Sequence, residues 1–136
     1  MEVPEAAYLA GIIDGEGTIT LTRIHKNEYR RPCVTIASTD LELLEYLQTI
    51  TNGNILNKKN YKPDIYKDSY ILSIRKKVDV FYTLTAILPY LRIEQKRKRA
   101  EWILKYYDIV TVRNGKYTKE KLIKKIDFKN NFFTLL

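Results

Sequence analysis

The chain is short of the residues on which most side-chain chemistry depends. Its 136 residues include one cysteine, one histidine, one tryptophan and one methionine. A single Cys33 permits neither an intrachain disulfide nor a cysteine-based zinc site. That suits a reducing compartment, so an intracellular location is expected: cytoplasm, nucleoid or organelle matrix. The lone His25 stands among charged residues at the predicted end of a strand, where a surface or phosphate contact fits better than general-base duty. No Ser-His-Asp set can be assembled, and the five glycines form no phosphate-cradling loop. No apolar run is long enough to cross a bilayer. The N-terminal apolar segment is broken by Asp14 and lacks a preceding basic region, unlike a secretory leader.

Negative charge is also in the minority. Lys and Arg number 24 against 16 Asp and Glu, a net charge of +8, which favours a polyanionic partner. The basic residues cluster, and tyrosine is abundant at 11 copies. With 45% hydrophobic residues, the length suits one domain with a real core. That domain is read as 1–136, with a core over about 4–107 and a basic, aromatic extension over 108–136.

Periodicity predicts helices over 4–15, 39–50, 78–88 and 95–107, and strands over 18–25, 31–37, 55–60 and 66–75. Thr39 and Glu42 have capping-box spacing, and Asn52-Gly53-Asn54 stops the second helix. A short helix is expected over 119–126. The order α-β-β-α-β-β-α-α implies an α+β fold, with one four-stranded antiparallel sheet backed by helices on a single face. Alternation along the strands places Thr20, Thr22, Arg31, Thr35, Asn57, Lys59, Lys67, Ser69, Ser73 and Arg75 together on the other, polar face. A twisted antiparallel ribbon of hydrogen-bonding residues can enter the DNA major groove, where base edges carry a unique donor and acceptor pattern.

The richest segment is Leu9-Ala10-Gly11-Ile12-Ile13-Asp14-Gly15-Glu16-Gly17. Gly11 and Gly15 lie four apart, on one helical face, and a face without side chains lets a second backbone approach closely. Gly17 is expected to end the helix in a left-handed conformation. Glu16 sits at the negative end of the helix dipole, where a carboxylate is disfavoured unless a cation joins it. A close-packed helix pair ending in acids is thus a candidate divalent-metal site.

The nine residues resemble the signature of the LAGLIDADG homing endonucleases, with Gly15 where the family name has alanine and Glu16 where it has aspartate. Thr39-Asp40-Leu41-Glu42-Leu43-Leu44, Tyr70-Ile71-Leu72-Ser73-Ile74 and Leu88-Pro89-Tyr90-Leu91 before a basic helix agree with that family, over about 8–107. The resemblance implies the αββαββα fold, with the sheet as a DNA-binding saddle. It implies a site-specific double-strand endonuclease using Mg2+, or another divalent ion such as Mn2+, encoded in an intron or free-standing as a mobile element. Glu16 and Gly15 would hold the metal. The motif occurs once, so two strand cuts imply a homodimer paired through Tyr8, Leu9, Gly11, Ile12 and Gly15, on a long near-palindromic target.

In this family a lysine just before the basic helix lies close to the cleavage site. Registering on Ala100 puts it at Lys96, whereas counting from Pro89-Tyr90-Leu91 reaches Glu94, so Lys98 is the other candidate. Lys96 to Arg99 is the densest charge run, and cations at a helix N-terminus are offset if phosphates lie nearby, which adds Lys98 to the DNA-contacting set. Two further family positions fall near Ser38 and Glu42, and Asp14 suits a structural role. The alternatives on the same fold are an RNA maturase acting as an intron-splicing cofactor and a non-cleaving DNA-binding protein.

Overall fold

The computed structural model describes residues 1–58 and 60–135. The chain starts with helix α1, Val3–Glu16. Its first turn is closed by a capping box, the Glu2 amide donating to the Glu5 carboxylate at 2.8 Å, and Pro4 occupies a position where no intrahelical donor is needed. Ala6, Leu9, Ala10 and Ile13 are buried, while Ala7, Tyr8, Gly11 and Gly15 on the other side are exposed. A helix apolar on both sides is one that expects cover on both sides.

Gly17 follows as the first residue of β1, Gly17–Thr22. It is not left-handed as expected: φ −94° and ψ 166° are ordinary extended values. Glycine is needed here for room, because a Cβ would lie 2.7 Å from the Ile13 Cα. Helix and strand meet backbone to backbone, and this sets the direction in which β1 leaves α1. Gly17→Ala is therefore expected to destabilise the fold by about 1–3 kcal/mol. An unchanged denaturation midpoint would contradict that packing.

β1 ends at Thr22, earlier than predicted. His25 lies exposed in the following loop, where its carbonyl accepts the Glu28 amide in a tight turn. β2 is Arg31–Ser38, and α2 is Leu41–Thr51. The cap of α2 is Asp40 rather than the expected Thr39 and Glu42 pair: its carboxylate accepts the Leu43 amide at 3.3 Å, and its own amide donates to Ser38 Oγ. Asparagine takes the left-handed position that ends α2, Asn52 having φ 63°. β3 is Asn54–Lys58, β4 is Ser69–Ile74 and α3 is Lys77–Ile87. Pro89 stops α3 inside a single 3-10 turn, Leu88–Tyr90, before α4, Glu94–Tyr106.

The four strands form one antiparallel sheet in the order β1-β2-β4-β3. Ile19 and Leu21, Val34 and Ile36, and Leu72 and Ile74 face the helices and join Leu9, Ile13, Leu44, Leu47, Leu84 and Ile103 in one core. The last helix, α5, spans Lys119–Thr134, twice the length read from sequence. Thr118 caps it by accepting the Lys121 amide, and Phe128 and Phe132 carry it into the core. Trp102 on α4 donates its indole N–H to the Phe128 carbonyl at 3.2 Å. The segment expected as an extension thus completes the hydrophobic layer over α4.

Candidate functional site

The acidic end of α1 and the start of α4 are locked together by reciprocal contacts. The Asp14 carboxylate accepts the backbone amides of Arg92 at 2.8 Å and Ile93 at 3.2 Å, the residues that lead into α4. In return, Lys96 from the first turn of α4 donates its ammonium to the carbonyls of Ile13 and Asp14, both at 2.7 Å. A carboxylate thus sits at the positive end of one helix and an ammonium at the negative end of the other, the favourable sense for both dipoles. Asp14 is structural, as its position suggested. Asp14→Ala is expected to cost about 2 kcal/mol, since two amides lose a charged acceptor. Chemical denaturation measures it, and a loss within experimental error would mean that water replaces the carboxylate freely.

Of the two candidate lysines, Lys96 is the one that reaches α1; Lys98 forms an ion pair with Glu94 at 3.1 Å. The hydrogen bond and charge of Lys98 hold the Glu94 carboxyl below its ordinary range. The basic run is therefore not simply a row of phosphate contacts. Arg99 also turns inward, donating to the Ile19 carbonyl at 3.0 Å and lying 4.9 Å from the Phe132 ring centre. Burial lowers the pKa of that guanidinium. Arg99 ties β1, α4 and α5 together, a role that charge clustering alone could not reveal.

Glu16 is the last residue of α1, and it is exposed. Gly15, also exposed, precedes it. Among the described residues there is no cluster of three or more His, Cys, Asp or Glu side chains able to hold a metal ion. Glu16 brings a carboxylate to this point beside backbone carbonyls, while the neighbouring Asp14 carboxylate is engaged by the Arg92 and Ile93 amides. That donor set is all oxygen and incomplete, which fits magnesium, an ion that keeps several waters and takes one or two carboxylates together with phosphate oxygens.

The pairing register settles which side chains share the polar face of the sheet. Thr20 lies opposite Cys33, Thr22 opposite Arg31, and Thr35 opposite Ser73, so these residues share one face as expected. Ser69 belongs to it and is paired with Lys58. Asn57 does not: it is paired with Tyr70, on the side of Leu72 and Ile74. The face is instead supplied in β3 by Asn54, Leu56 and Lys58. The signal was Ile55, which packs against the core and shares its parity with position 57. Lys59 lies outside the described residues, and Lys67 sits exposed in the loop before β4.

Ser73 is buried, and its hydroxyl accepts from Arg75 Nε at 2.9 Å. It therefore steadies Arg75, whose side chain is exposed, and is covered rather than presented. Cys33 lies beside it, 3.9 Å from the Ser73 oxygen, with its thiol pKa raised by burial. Arg31 is exposed and paired with Glu28 at 3.0 Å. Ser38 is half-buried and engaged at the α2 cap, and Glu42 is exposed.

The uncovered side of α1 leads to Glu16. A Cβ at Gly11 or Gly15 would meet nothing within 4 Å, so both glycines face open space. Tyr8 is 49% exposed and stands edge-on to Tyr46 of α2 at 5.8 Å. Ile12 is half-buried. Leu9 must be removed from the expected pairing face: it is fully buried in its own core. The exposed stripe is Pro4, Ala7, Tyr8, Gly11 and Gly15, at helical spacing.

Comparison with known proteins agrees with this architecture. The intron-encoded DNA endonuclease aI3 of Saccharomyces cerevisiae is 30% identical over 124 residues, covering 86% of this chain. The chain spans only 29% of that relative's length. Among solved structures, the homing endonuclease I-CvuI, in complex with the I-CreI target in 2 mM Mg, superposes with a TM-score of 0.72 at 21% identity, over 98% of this chain and 82% of the other. The archaeal intron-encoded homing endonuclease I-Vdi141I, complexed with DNA, superposes with a TM-score of 0.65 at 14% identity, over 100% and 86%. These likenesses share the α+β fold with its four-stranded antiparallel sheet. The LAGLIDADG-like domain model matches residues 4–122, and with it the chain is placed in the LAGLIDADG-like domain family.

Proposed function

We propose that this chain is one subunit of a homodimeric, divalent-metal-dependent endonuclease that makes a double-strand cut at a long, near-palindromic DNA site. The observation that carries this reading is the exposed stripe of α1, which has no side chain at Gly11 and Gly15 and ends in an exposed carboxylate. Two copies paired along that stripe bring two Glu16 carboxylates together at a twofold axis. The names of the relatives, which include DNA endonucleases and complexes with target DNA, support the same chemistry.

In the dimer the polar faces of two sheets form one continuous surface. Thr20, Thr22, Thr35, Ser69 and Arg75 then face base edges, with Lys58 and Lys67 nearer the rim. The scissile phosphates lie over the α1 ends. Glu16 and the Gly15 carbonyl would hold the metal, which when bound activates water and neutralises charge at phosphorus and at the leaving oxygen. Lys96 remains beside the site and supports developing negative charge. Asp14, by fixing the start of α4, keeps Lys96 in place. The buried, unpaired thiol of Cys33 suits an intracellular, reducing compartment.

The reading is tested by binding. Sedimentation with a duplex carrying the selected target is expected to give two protomers per duplex, with a footprint symmetric about its centre. With a net charge of +8, affinity should fall by about tenfold or more over a fourfold rise in salt. One protomer per duplex, or affinity independent of salt, would contradict it.

A further inference from the structure

Outside the sheet, one cation is buried where nothing in the mechanism above uses it. Lys125 on α5 is only 6% exposed. Its ammonium donates to Thr111 Oγ1 at 2.7 Å and lies 4.4 Å from the centre of the Tyr107 ring. The Thr111 hydroxyl donates its own proton to the Tyr107 carbonyl at 2.6 Å, which leaves it free to accept from lysine. Among the described residues no carboxylate forms an ion pair with Lys125, and the nearby Glu28 is engaged by Arg31. A buried ammonium held by one hydroxyl and an aromatic face lacks the counter-charge that normally accompanies burial.

Lys125 lines a crevice of about 360 Å³ between the β1–β2 loop and α5, with Tyr29, Arg30, Arg31 and Tyr117 among its walls. Three cations thus face one carboxylate. Arg31 belongs both to this crevice and to the polar face of the sheet, where it is paired with Thr22. We infer that the crevice is a phosphate site, in which Lys125, backed by Thr111 and flanked by Arg31, meets a phosphodiester of the duplex lying on the sheet. This rests on the reading that the chain binds duplex DNA.

Burial draws the Lys125 pKa down to about 8. The groups lining the crevice with it are Glu28, Tyr29 and Arg30 from the loop, Arg31 at the start of β2, Tyr107 at the end of α4, and Tyr117 from the segment before α5. Lys121 and Lys129 lie one turn away on its own helix. Burial raises the Tyr107 pKa, away from neutrality. A phosphate beside Lys125 holds its proton on, so duplex binding should take up protons near pH 8. As pH rises towards 9, the free lysine loses its charge and this contribution fades.

The test measures binding of a 30-base-pair duplex across a salt series at pH 7 and pH 9, for the unaltered protein and for Lys125→Met. The variant is expected to lower the salt slope by about 1.8 at pH 7, one phosphate for each of the two protomers on the duplex, without lowering the melting temperature, because a buried lone charge is removed. The unaltered protein should show the same reduced slope at pH 9. Calorimetry in buffers of different ionisation enthalpy should show proton uptake at pH 8, a readout that needs no variant. Equal slopes for both proteins, with no proton uptake, would overturn the inference while leaving duplex binding intact. No duplex binding by the unaltered protein would overturn the function reading and this inference with it. Stabilisation by inorganic phosphate that Lys125→Met abolishes, with equal duplex slopes, would mean that the site takes a free phosphate and would overturn the duplex as its ligand.

Discussion

Glu16→Gln is expected to abolish DNA cutting and to leave folding, dimer formation and target binding in place. The side chain is exposed at the C-terminal end of α1, so the amide keeps its shape and disturbs no packing. Removing a negative charge from the negative end of a helix should leave stability unchanged or raise it by about 0.5 kcal/mol. Cleavage depends on the charge. Glu16 brings its carboxylate to this point, the neighbouring Asp14 carboxylate is engaged by two backbone amides, and among the described residues no group of three or more His, Cys, Asp or Glu side chains could hold a metal ion. The rate in magnesium should fall by at least on the order of a thousandfold. Single-turnover cleavage alongside a binding titration on the same duplex separates the possibilities. Undiminished cutting would show that Glu16 holds no metal, and lost binding with an intact fold would make it a DNA contact. Lys96→Ala should be milder in rate, since it supports charge without holding the metal.

Gly11→Leu should convert the dimer to monomers with little effect on the fold. Within one chain a Cβ at this position meets nothing within 4 Å, so the leucine extends into solvent and creates no internal clash. Across a twofold axis the same side chain meets its symmetry mate where two backbones must touch. Forcing such a contact costs about 3 kcal/mol or more, which corresponds to at least a hundredfold weaker association. Sedimentation equilibrium should show monomers at micromolar concentration for the variant and dimers for the unaltered chain. The circular dichroism spectrum and melting of the monomer should remain close to those of the parent. A variant that stays dimeric would place the interface elsewhere.

Much of this architecture was legible because local and global preferences agree. The alternation of Ile19 and Leu21 with Thr18, Thr20 and Thr22 places β1 on the sheet without ambiguity, and Pro89 marks the end of α3. Legibility failed where the answer depends on a partner strand or helix. In β3, two apolar neighbours, Ile55 and Leu56, compete for the core, and only pairing with β4 assigns Ile55 inward and carries Asn57 with it. Gly17 was read through its backbone freedom, but its real constraint is the proximity of Ile13, a tertiary contact. The length of α5 was underestimated because Phe128 and Phe132 make sense as helical core residues only once α4 is there to receive them.

The candidate site divides in the same way. The acid and the two glycines were marked by their spacing, and the lysine by the family resemblance. Their mutual geometry was not. Spacing does not reveal that Lys96 donates to the carbonyls of Ile13 and Asp14 while Lys98 pairs with Glu94. Charge clustering placed phosphates near the run from Lys96 to Arg99 without singling out Arg99, which donates instead to the Ile19 carbonyl. Leu9 looked like part of a pairing face because α1 is apolar on both sides. Only burial distinguishes the side already covered from the side still open.

The central claim, metal-dependent cleavage by paired α1 ends, is met most directly by the fate of a supercoiled plasmid. The plasmid carries the DNA that flanks the coding sequence, joined as it would be without the insertion, and is incubated with the purified protein in magnesium or in EDTA. The expected result is linear plasmid cut at that one junction in magnesium, and no cutting in EDTA. A plasmid that stays supercoiled in magnesium, while the same junction is bound as a short duplex, would contradict the nuclease assignment and leave a DNA-binding protein on this fold.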